Sequence, residues 1–222
     1  MLSVDQATQI VETFRQQYPS VKPLAYVIKA TQQEIYGDHT APEIAGRVIH
    51  GNYFPHQQAF AIAAANASSA DELRRTLRHE LLGHCGINTC SPIEKRALLD
   101  AIVAGRSEPS LAEIWQAIDE NYADVPDGRP RAEEVYATVC QEIQPEPRHD
   151  RALGAQVLRE TVRTPTLAIS RERLTIIATF VAEGMHDGTR TVQIVPPTDH
   201  DQFRAGSASC RGASSLLPPL PR

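Results

Sequence analysis

The segment RHELLGHCG at residues 78–86 sets His79, Glu80 and His84 in an H-E-x-x-x-H string, with Gly83 beside the second histidine. Two imidazoles with an adjoining carboxylate are the donors of a zinc site with a base beside the ion, the equipment of a hydrolase. The spacing constrains the backbone. In a regular α-helix, at about 100° per residue, five steps separate the two rings by roughly 140° around the axis, too far apart to share one ion. A π-type turn, which bonds i to i+5, restores them to a common face. Gly83 is the residue expected to absorb that distortion, because glycine accepts backbone angles that other residues resist. The plain alternative is two unrelated histidines on an amphipathic helix.

The approach to the motif is helical. Ser69 followed by Glu72 reads as a capping box, and Leu73, Leu77, Glu80 and His84 recur behind it, which predicts one helix over residues 70–85 with Gly86 closing it. Upstream, Ala7, Ile10, Val11 and Phe14 predict a helix over residues 4–18. Apolar stretches at 24–29, 47–54 and 58–65 predict a small antiparallel sheet, the last weakened by its alanines. Downstream, Ser91 with Glu94 and Ser110 with Glu113 open helices near 92–104 and 111–122. Further helices follow at 131–144, 152–163 and 171–185. The fold class is therefore α+β, mainly helical, with the sheet ahead of the metal-binding helix.

The string HELLGH resembles the motif of gluzincin-type zinc metallopeptidases, as in dipeptidyl peptidase III. It is also similar to the R-H-E-x-x-G-H-x-G segment of small zincin-like domains in polyvalent proteins of phages and conjugative plasmids, over about residues 20–185. That resemblance implies His79 and His84 as zinc ligands, Glu80 as general base, and a third ligand from a glutamate on a later helix. Residues 131–144, RAEEVYATVCQEIQ, supply Glu133 and Glu134. The resemblance favours Glu134, from a double glutamate followed three residues later by a small alanine, here Ala137. Helical periodicity instead puts Glu133 nearer the apolar face, so both stay open. Thr138 stands where the family has an acidic residue, which leaves the outer carboxylate missing or supplied elsewhere. The implied reaction is hydrolysis of peptide bonds in a peptide or protein substrate, with residues 58–65 as the edge strand that pairs with it. Two alternatives stand beside it. One is a non-enzymatic, metal-stabilised binding or scaffold module of a mobile genetic element; the other is a closed structural zinc site completed by Cys85 and Cys90.

Composition bounds the rest. With 222 residues, 41% of them hydrophobic, the chain is able to bury one core, expected over residues 1–188. Residues 189–222, rich in proline and serine and ending in SSLLPPLPR, are expected to form a disordered tail. A net charge of −5 argues against a nucleic-acid partner, with Arg74, Arg75 and Arg78 read as a solvated helix face. No N-terminal signal or apolar run of membrane length is seen, so the expectation is a cytoplasmic chain with free thiols and no membrane partner. Tyr53 and Tyr136 are candidate oxyanion donors, and His149 an additional catalytic donor, each set against an ordinary packing or surface role.

Overall fold

The computed structural model describes residues 1–37, 48–123, 125–143 and 151–192. The chain opens with α1 (Val4–Gln17), capped by Ser3 in a full capping box with Gln6. Then come β1 (Ala25–Lys29), a short α2 (Gln32–Tyr36) that periodicity does not reveal, β2 (Gly51–Phe54) and β3 (Ala59–Ala63). The three strands form a mixed sheet in the order β1-β3-β2, with β1 parallel and β2 antiparallel to β3. The α+β, mainly helical class expected from the sequence is the one observed, but the sheet is mixed rather than antiparallel, because β1 runs parallel to β3.

β3 occupies the centre, and all five of its residues are buried. Phe60 and Ile62 enter the main core, whereas Ala61 and Ala63 face Ile35 of α2 on the other side. The alanines that weaken the strand signal are what lets α2 lie close to the sheet. A strand paired on both sides has no free edge, which corrects the assignment of residues 58–65 to substrate pairing. The outer strand beside the motif is β2.

The motif region departs from a single helix. After α3 (Ala70–Leu77), capped by Ser69, residues Arg78–His84 form a π segment that continues into α4 (Cys85–Ile87). The Cys85 N–H donates to the Glu80 carbonyl five residues back, the bond that defines this winding. Gly83, however, is not needed for unusual backbone angles, since it is absent from the residues with positive φ. A Cβ there would lie 2.6 Å from the Ala137 Cα, so the glycine exists for close approach. Gly86 likewise does not end the helix; it sits where a Cβ would meet the Met185 sulfur at 3.2 Å.

Helices α5 (Pro92–Ala104), α6 (Ala112–Asn121), α7 (Arg129–Cys140), α8 (Arg151–Arg163) and α9 (Arg171–His186) complete the described fold. Ser91 and Glu94 cap α5 reciprocally, as the sequence predicts. α6 lacks its predicted cap. Leu111 stands at its N-cap after a 3-10 turn, and the Ser110 hydroxyl instead accepts from the Arg171 N–H at 3.0 Å, tying α6 to α9. Beyond α9, Arg190 folds back over the Phe180 ring and its N–H donates to the Gly184 carbonyl. Residues 193–222, most of the expected tail, lie outside the described residues, as do His149 and the connector before α8. Among the described residues no helix is long and apolar enough to cross a membrane.

Cys85, Cys90 and Cys140 are buried free thiols. Burial pushes Cys85 up to about 12 and Cys90 up to about 11, and raises Cys140 as well. All three should resist iodoacetamide at neutral pH and label only after denaturation, as read by peptide mass mapping; labelling of any of the three in the native protein contradicts this packing. A second expectation concerns Gly83. Its replacement by alanine forces the π segment away from α7 and should cost about 1–3 kcal/mol, seen as a Tm lowered by several degrees. An unchanged Tm would show that the contact yields freely.

Candidate metal centre

The π winding brings His79 and His84 together. Their rings stand nearly perpendicular at 86°, with centroids 4.8 Å apart and the two Nε2 atoms 3.2 Å apart. α7 packs across the π segment at Gly83 and Ala137, and this contact delivers the third donor. Glu134 Oε2 lies 3.4 Å from His79 Nε2 and 3.4 Å from His84 Nε2. The three donors thus form a triangle with sides of 3.2, 3.4 and 3.4 Å. Bonds of about 2.0–2.1 Å to a tetrahedral zinc place neighbouring donors about 3.3 Å apart. An octahedral ion at about 2.1 Å sets them closer, at roughly 3.0 Å. The residues present therefore fit a divalent ion held by two imidazole nitrogens and a carboxylate oxygen.

Glu80 belongs to the same buried group, its carboxylate within 4.8 Å of both histidine donor atoms. It is fixed by the Tyr53 backbone N–H of β2, which donates to Oε2 at 2.9 Å. Glu80 is thus aimed by the sheet, and with His79 and His84 it forms a buried group able to hold a metal ion. Chemically, the arrangement is able to hold a divalent ion.

Glu133 turns to the opposite side of His84. Its Oε1 lies 3.7 Å from His84 Nδ1, and its Oε2 lies 3.5 Å from Lys95 Nζ. It is more buried than its neighbour, as periodicity indicates, but it stands behind the ring rather than at the Nε2 pair. His79 is met at Nδ1 by the Gln141 side-chain amide at 2.8 Å. Lys95 also donates to Asn88 Oδ1, while Asn88 Nδ2 donates to the His84 carbonyl. Sequence reasoning missed Gln141, Lys95 and Asn88. Two of them carried a signal, since Asn88 follows His84 by one turn and Gln141 follows Glu134 by two.

Electrostatics follow from this packing. Burial alone would raise the Glu134 carboxyl, but the imidazoles of His84 and His79 hold it well below the ordinary carboxylate range. Cys85 and Cys90 play no part. Cys90 accepts from Arg190 Nη1 at 3.4 Å, and Cys85 is buried against Tyr53, so neither joins the histidines and the closed His/Cys zinc site is excluded. Tyr53 and Tyr136 are core residues. Arg78 is no solvated side chain either: half-buried, its Nε donates to the Gln141 carbonyl at 2.6 Å, while Arg74 pairs with Asp71 at the surface.

Comparison with known proteins redirects the functional reading. The chain is 35% identical over 209 residues to an Escherichia coli protein named DNA primase TraC, a match that takes in 86% of this chain. It spans only 14% of that protein's length. No family model and no solved structure matches. The likeness to zinc metallopeptidases rests on one short string, whereas the likeness to the primase runs along most of the chain. It overturns the assignment as a hydrolase or metalloprotease acting on peptides, because a donor string reports how an ion is held and not what is transformed. It also overturns the exclusion of nucleic acid: net charge averages over a whole surface, and the similar protein is named for its action on DNA.

Proposed function

We propose that this chain is a zinc-binding segment of a DNA-primase-type protein and works on or beside nucleic acid. The metal reading is carried by the triangle of His79 Nε2, His84 Nε2 and Glu134 Oε2, whose sides match the edge of a tetrahedral zinc site. Imidazole and carboxylate donors at this spacing suit zinc better than the octahedral oxygen-bound ions. The nucleic-acid reading is carried by the extended identity to DNA primase TraC. His79 and His84 come from the π segment and Glu134 from α7, so one ion links two parts of the chain that meet only in the folded state.

Elemental analysis of the purified chain should find about one zinc per molecule. His79→Ala, His84→Ala and Glu134→Ala should each lose it, Glu133→Ala should weaken it less than Glu134→Ala, and Glu80→Gln should keep it. Chelation should lower Tm, because an ion held only by the native state stabilises that state. Full zinc in His84→Ala would overturn the site. For the partner, fluorescence anisotropy with single-stranded DNA at low salt should show binding that weakens as salt rises. Absence of binding to single- and double-stranded DNA alike would remove nucleic acid as the direct partner of this segment.

A further inference from the structure

The two candidate ligand rings are held from behind by different chemistry. His84 has a carboxylate at Nδ1, that of Glu133, which Lys95 partly neutralises. His79 has a neutral amide there, that of Gln141, and at 2.8 Å it is the closer of the two contacts. The same residue also binds the neighbour of His79, since the Arg78 Nε donates to the Gln141 carbonyl at 2.6 Å. One residue just past the end of α7 thus grips two consecutive residues at the start of the π segment.

We propose that Gln141 is the positioning residue of the metal centre, presetting His79 for the ion by accepting the ring proton at Nδ1. This rests on the metal reading above. A ring that gives Nε2 to an ion carries its proton on Nδ1, so the group facing Nδ1 must be an acceptor. In the structure the amide Nε2 is the atom that faces Nδ1; a 180° turn about the side-chain axis, which exchanges two atoms of nearly equal size, is required to bring the oxygen to His79. Arg78 matters because it anchors the backbone from which that amide is held. Gln141 fixes the tautomer and the plane of the ring without adding a charge to a site that already contains Glu134, Glu80 and Glu133.

The test is zinc affinity by chelator competition on the full chain, with metal-free unfolding midpoints measured alongside. Gln141→Leu removes the acceptor at similar volume and should weaken zinc about 10- to 100-fold, the range for loss of an outer partner of a ligating histidine. Gln141→Glu keeps an acceptor and should bind zinc at least as tightly as the parent. Long-range proton–nitrogen NMR of the zinc-loaded parent should find the His79 proton on Nδ1. Affinity of Gln141→Leu within twofold of the parent overturns the proposal, as does equal weakening in both variants or a proton on Nε2. If Gln141→Leu fails to fold, Gln141→Ala replaces it under the same criteria. Full zinc in His79→Ala would instead sink the metal reading itself, whereas zinc lost there but unaffected in Gln141→Leu sinks the positioning role alone.

Discussion

The contact between Gly83 and Ala137 is what the rest of the candidate site depends on. A π turn leaves its backbone less favourably packed than an α-helix and persists where surrounding structure holds it. Here that support is α7, which comes so close that no side chain fits at position 83. The approach fixes Glu134 as well, because it lies one turn before Ala137 on the same helix. Two features that look independent in sequence, a five-residue histidine spacing and a glutamate some fifty positions later, thus follow from one packing event.

The sheet contributes aim rather than donors. β2 directs the Tyr53 N–H at Glu80, which gives that buried carboxylate a hydrogen-bond partner and a fixed direction. β3 needs its alanines for α2 on one face and its large side chains for the main core on the other. A strand buried on both faces shows no polar alternation, which is why its central place could not be read from its pattern. The π segment was legible for the opposite reason: if the two histidines act together, a spacing of five excludes regular α geometry. Helix starts at Ser69 and Ser91 were legible because a cap is a local bond. Ser110 shows the limit, its hydroxyl being taken by a helix distant in sequence.

What remained hidden at the site was tertiary. Glu133 and Glu134 are adjacent on α7, so a small rotation decides which meets the Nε2 pair, and periodicity gives burial without direction. Burial identified the more enclosed residue, Glu133, but the contact with the π segment gives the Nε2 position to its neighbour. Thr138 left the outer carboxylate either missing or supplied from elsewhere. The structure follows the second course, with two partners at the Nδ1 atoms from other positions, one charged and one neutral.

Function is where a short motif misleads most. Six residues fix the positions of three polar groups, and many chemistries can use such a clamp, so the motif constrains the ion far more tightly than the reaction. Likeness extended along the chain carries different information, because it preserves packing and surface together, and here it points to a protein named for priming DNA. Net charge was a poor guide for a related reason. Net charge averages over the whole surface, and a local basic patch suffices to meet a phosphate backbone. A metal held between the π segment and α7 would tie two elements that a long stretch of chain separates, opposing the loop entropy that otherwise favours their parting.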